Sequence, residues 1–113
     1  MIIVQGFIKV QAADFAKYRR RLALHAARVQ ALDGCLQYSL AEDSGIAGLI
    51  WVSERWLDKS AQAAHLAGDH MGEFNQFMKH MPMSAGHIAS YNVDGDGEWL
   101  LRVGSSDITL LSV

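Results

Sequence analysis

The chain has 113 residues, 50% of them hydrophobic and 19% charged, with a formal net charge of −2. That length suits one domain with its own core, and the slightly acidic balance argues against a nucleic-acid partner. A lone cysteine, Cys35, excludes an internal disulfide and fits a reducing compartment.

The opening "MIIVQGFIKV" has neither a basic stretch nor a small-residue cleavage site, so it does not read as a signal peptide. It reads as a strand over residues 2 to 10. No apolar run approaches the ~20 residues that span a bilayer, and no repeat or low-complexity segment is present. A soluble cytoplasmic protein without a membrane partner is the expectation. Asp14 then opens a helix as a capping or first-turn acid. Phe15, Tyr18, Leu22, His25, Val29 and Leu32 follow at steps of three and four, which makes one apolar helical stripe. Arg19, Arg20 and Arg21 on that helix read as a solvated face. Asp33-Gly34 ends it.

"CLQYSLAE" alternates, with Leu36, Tyr38 and Leu40 expected on one face and Cys35, Gln37 and Ser39 on the other. After the turn "DSGIAG", "LIWVSERW" puts Ile50, Val52, Glu54 and Trp56 on one face and Leu49, Trp51, Ser53 and Arg55 on its opposite. The short link predicts an antiparallel hairpin. Asp58 is placed to cap a helix over Lys59–Ala67, Gly68 breaks it, and Asp69 is expected to cap the next. That helix carries Phe74, Phe77, Met78 and Met81, and Pro82 stops it. "MSAGHIASYNV" reads as a fourth strand. The order β-α-β-β-α-β is the ferredoxin-like α+β arrangement. From Asp94, "DGDGEW" reads as a turn, and "WLLRV" and "ITLLSV" as two further strands around "GSSD". The expected organisation is one domain over 1–93 and a C-terminal hairpin or arm over 94–113.

Helices on one sheet face leave the other open, and apolar residues occur on both faces of the hairpin. A second copy, closed face to face, would cover them.

Among the candidate site residues, His65 and His70 lie five apart. On an unbroken helix they point about 140° away from each other, whereas zinc helices use i and i+4. Gly68 lets them converge, but a third ligand would be needed and Cys35 has no motif partner, so no metal is expected. Glu54 shares a face with apolar neighbours and should have a partner. His25, on the apolar stripe, is either a satisfied core histidine or part of a cavity lining. His70 is either a surface residue beside Asp69 or a hydrogen-bond donor at a pocket mouth. Tyr38, Trp51, Trp56, Phe74 and Phe77 suffice to line an apolar pocket, or simply to fill the core. Trp51 and Trp56, on opposite strand faces, cannot both line one cavity. Cys35 reads as a small buried hydrophobe. No nucleophile elbow or phosphate loop is present.

"LDGCLQYSL", "LIWVSERW" and "AHLAGDHMGEF", in that order over roughly residues 2 to 93, resemble the antibiotic biosynthesis monooxygenase family. Its pattern is a Gly-Cys-Leu-x-Tyr strand, a Glu-x-Trp strand, a helix bearing histidine and a Ser-Pro-His-like turn. Here the turn is "GDH", and the last 20 residues have no counterpart. The resemblance implies a homodimeric α+β barrel, a pocket between sheet and helices, and oxidation of a small aromatic or quinol by O2 without metal or flavin. By position in the motif, His65 would be the base and Glu54 the carboxylate that orients it and raises its basicity. Tyr38, Trp56, His70, Phe74, His25 and Trp51 would bind substrate. Other readings stay open, because fold does not fix reaction: an isomerase of a small carbonyl compound, a non-catalytic binding or dimerisation module, or a haem-degrading enzyme. The last is disfavoured because "IVQGFIKV" lacks the asparagine those enzymes carry.

Overall fold

The computed structural model describes residues 1–94 in full and the backbone of residues 98–103 and 106–112. The alternating and helical patterns become β1 (Ile2–Lys9), α1 (Ala12–Gln30), β2 (Cys35–Glu42), β3 (Leu49–Trp56), α2 (Lys59–Ala67), α3 (Asp69–Phe77) and β4 (Ala85–Asn92). β5 (Glu98–Val103) and β6 (Ser106–Ser112) pair antiparallel as a separate two-stranded sheet. Residues 95–97 of the turn expected at "DGDG" and residues 104–105 of "GSSD" lie outside the described residues.

The first four strands form one sheet in the order β2-β3-β1-β4, every neighbouring pair antiparallel. This is the ferredoxin-like α+β fold. Residues directly opposite in a pair share a face, so the register assigns both surfaces. The inner face carries Ile2, Val4 and Ile8 of β1, Ile50, Val52, Glu54 and Trp56 of β3, and Tyr38 and Leu40 of β2. Ile3 and Phe7, Leu49 and Trp51, and His87 and Tyr91 stand on the outer face.

The α1 stripe buries Phe15, Leu22, His25 and Val29. One apolar cluster joins Phe15 and Leu22 to Ile8, Val10, Ile50 and Met81; a second joins Val29 to Ile2, Val4, Tyr38 and Trp56. Gly34, after α1, has a φ of +77°, where a side chain would be strained, and a Cβ there would lie 2.5 Å from that of Ala61. So this turn brings the end of α1 onto α2.

Two local expectations are corrected. Leu36 does not share the inner face with Tyr38 and Leu40; it is exposed, because a bulge between Cys35 and Gln37 breaks the alternation. Asp69 does not cap α3: Gly68 holds the cap position and no side chain bonds there. Asp58 does cap α2, its carboxylate accepting from the Ala61 amide at 2.8 Å. Among the described residues, no helix is long and apolar enough to cross a membrane.

Candidate active site

Between the inner face of the sheet and the α2–α3 layer lies a cavity of about 390 Å³. Its walls are mainly apolar: Val4, Ile8, Leu40 and Val52 from the sheet, and Met71, Phe74 and Met78 from the helical layer. Three buried polar side chains reach it, Tyr38 of β2, Glu54 of β3 and His65 of α2, with the more exposed Gln62, Asn75 and Ser90 also in the lining. Size and lining are those of a small-molecule site. Leu66, Met83 and Ile88 line it too and remain more than half exposed, which places an apolar rim at its mouth. Gln62 of α2 donates to the Ser90 hydroxyl of β4 at 3.0 Å and ties the two walls together.

The polar groups are set by short, well-defined pieces of chain. Capped at Asp58, α2 turns His65 inward as its one buried residue. Gly68 then adopts an extended conformation (φ −74°, ψ 153°), so α3 starts in a new direction and buries His70. The break brings together two rings that an unbroken helix would separate. His65 Nδ1 and His70 Nε2 are 2.8 Å apart and hydrogen-bonded. Trp56 lies beneath His65, ring centroids 4.6 Å apart and planes within 19°. The Trp56 indole N–H donates to Glu54 Oε1 at 2.9 Å. His65 Nε2 is 4.0 Å from that same oxygen, too far for a hydrogen bond. On the other side, His25 stacks on Phe74 at 3.7 Å and shares a 3.2 Å hydrogen bond with the Tyr38 hydroxyl.

Burial sets the charges. It lowers His65 to about 4, with the neighbouring His70 adding to the effect. His25 also falls to about 4, first through burial and then through nearby Arg21. Glu54 is pushed up by burial, against the Trp56 hydrogen bond that favours its ionised form. Tyr38 is raised, chiefly by burial and then by Glu54, so its phenol keeps its proton. His65 and His25 are therefore neutral imidazoles at neutral pH.

Of the eight residues singled out from the sequence, Glu54, His65, Tyr38 and Phe74 line the cavity. Trp56, His25 and His70 stand behind them as supports. Trp51 is elsewhere: it lies on the outer face, 44% exposed, donating to Asp43 at 2.8 Å and packed edge-on against Phe7. The expected orientation of His65 by Glu54 is also revised. Its hydrogen-bond partner is His70, and burial lowers its basicity. The methionines of the wall and rim escaped sequence reasoning, since methionine at helical spacing also reads as ordinary core. Among the described residues, no three His, Cys, Asp or Glu side chains are grouped to hold a metal ion.

Residues 1–76 match the family model described as antibiotic biosynthesis monooxygenase. Similar solved structures include a candidate antibiotic biosynthesis monooxygenase from Deinococcus radiodurans, 28% identical with a TM-score of 0.76, the match covering 92% of this chain and all of that one. Another, from Caulobacter crescentus CB15, is 25% identical with a TM-score of 0.75, covering 83% and 90%. The protein PA3566 from Pseudomonas aeruginosa, at 22% identity and a TM-score of 0.71 over 83% and 94%, shares the fold. No match is found among curated proteins.

Proposed function

The chain belongs to the antibiotic biosynthesis monooxygenase family, and from that premise we propose that it is a cofactor-independent monooxygenase of small electron-rich phenols or quinols. The observation that carries the reading is the mainly apolar cavity lined by a neutral His65 beside Glu54 and Tyr38.

With neither metal nor flavin, the substrate must itself supply all four electrons that reduce O2 to one water and one inserted oxygen. A quinol with a ring C–H does so, becoming a hydroxyquinone. Likewise an activated methylene in a phenolic ring system becomes a carbonyl. Triplet O2 reacts slowly with closed-shell molecules, but a phenolate or enolate can transfer one electron to it. The radical pair then combines to a peroxide, which takes back a proton and loses water. The protein's work is to remove the first proton and shelter the anion. His65 Nε2 takes the proton. Glu54, 4.0 Å away, stabilises the imidazolium when ionised. If His25 donates to the phenolic oxygen, the Tyr38 hydroxyl is free to donate to the developing oxyanion, an interaction that strengthens where water is excluded. Phe74 and the methionines of the wall enclose the ring. The same reading takes the working form as a cytoplasmic homodimer closed over the outer sheet face.

An oxygen electrode with 1,4-dihydroxynaphthalene and anthrone in air tests this. One O2 should disappear per substrate, and product formed under 18O2 should carry one labelled atom. Absence of consumption with every phenol offered would put proton-transfer isomerisation, or binding alone, ahead.

A further inference from the structure

We propose that His70 is the positioning residue of the site: it fixes the working tautomer of His65 and passes the gathered proton out of the cavity towards the surface at Gly68. This rests on His65 acting as a base. With Nδ1 of His65 engaged by His70, the nitrogen left for a substrate is Nε2, 4.0 Å from the carboxylate of Glu54, which lines the cavity. It can accept a proton only if it is bare, and in a neutral imidazole the proton must then sit on Nδ1. Across the 2.8 Å contact with His70 only one hydrogen can lie. His65 therefore donates, His70 Nε2 accepts, and the His70 proton is on its own Nδ1. With the opposite tautomer of His70, His65 would present an N–H to the cavity and be a donor instead. The nitrogen state of one histidine thus decides the chemistry of the other.

The local backbone is built around this contact. α2 stops at Gly68 and α3 restarts there, and the break is what brings the two rings together. The Nδ1–Cε1 edge of His70 lies directly over Gly68: a Cβ at that position would be 2.5 Å from Cε1 and 2.6 Å from Nδ1. So the far edge of His70 reaches the α2–α3 junction. Gly68 also borders an open surface groove with Asp69 and Glu73.

The transfer balances. A substrate proton arrives on His65 Nε2, the Nδ1 proton moves to His70 Nε2, and the His70 Nδ1 proton leaves to water. The pair ends neutral, with both protons on Nε2, ready to reverse when the peroxide needs a proton.

Long-range 15N NMR of histidine-labelled protein reads the tautomers without substrate. In the parent protein His65 and His70 should both carry their proton on Nδ1. In His70→Ala, His65 should shift to the Nε2–H form. In His70→Asn the side-chain oxygen still accepts, so His65 should stay Nδ1–H, while onward transfer is blocked and turnover falls at least tenfold with KM unchanged. An Nε2–H His65 in the parent, or an unchanged His65 in His70→Ala, overturns the positioning role. His70→Asn turning over at the parent rate overturns the relay. If the alanine variant does not fold, the parent spectrum and His70→Asn still decide. Failure of the oxygenase reading is separately visible, because the tautomers are read in the resting protein.

Discussion

At the level of single residues, burial makes His65 and His25 neutral, and this has two measurable consequences. The first is kinetic. With His65 at about 4 against the usual 6.5, the acid limb of kcat/KM should lie well below pH 6, not near 6.5. An acid limb at 6.5 would remove His65 as the base. His65→Ala should lower oxygen consumption by roughly 10²- to 10⁴-fold, the usual range for a lost general base. The second concerns stability. Both histidines have folded pKa values of about 4, below the unfolded 6.5, so the unfolded chain binds more protons between those limits. Stability is therefore full above pH 6.5, falls as pH drops through the window, and stops falling near 4. Each histidine contributes up to about 1.4 kcal/mol per pH unit there. Glu54, raised by burial, opposes the trend just above its ordinary range. Urea midpoints that do not decline between pH 6.5 and 4.5 would contradict the burial of these charges.

Among the elements, the junction of α2 and α3 is where a substitution should separate function from folding. Gly68 sits at φ −74° and ψ 153°, a conformation open to any residue. Gly68→Ala should therefore strain no backbone, yet its Cβ must displace the His70 ring. We expect turnover to fall at least tenfold, with a thermal midpoint within about 8 °C of the parent, the shift that ~1 kcal/mol produces in a domain this small. Parent-like turnover would show that His70 can move without consequence. This junction also marks how far the sequence could be read. The hairpin, the α1 stripe and the Asp58 cap were legible because period and capping chemistry are local. Convergence of His65 and His70 was legible only as something Gly68 permits; that they would bond each other depended on the direction α3 takes, which is tertiary. The bulge at Cys35–Gln37 was hidden, because strict alternation predicts Leu36 inward and nothing nearby signals the extra residue. Glu54 matched the family motif, but its separation from His65 is set by the Trp56 hydrogen bond and by packing.

For the whole molecule, the outer sheet face is the surface on which the proposed homodimer rests. It presents Ile3, Phe7, Leu49, Trp51 and Tyr91 with no helix over them among the described residues, and Trp51 and Tyr91 are exposed. A second copy of the same face is the expected cover. Scattering should give twice the 12.4 kDa of one chain at micromolar concentration. Trp51→Glu should shift it towards the single-chain mass, and a dimer indifferent to that change would place the interface elsewhere. Area suggests that this face does not act alone. Four strands of eight residues cover about 19 Å by about 26 Å, or roughly 500 Å² as a flat patch, whereas a stable interface takes about 800 Å² from each partner. Side-chain relief closes part of that gap. Residues 94–113, which follow β4 in the chain and include Trp99, Leu100, Leu101, Ile108, Leu110 and Leu111, are an apolar stretch available to close the rest. Truncation after Asp94 should therefore weaken association at least tenfold in dilution-dependent scattering or sedimentation, while the His65 site keeps its tautomers. An equally tight dimer after truncation would mean that the four-stranded face suffices and that the final segment serves another purpose.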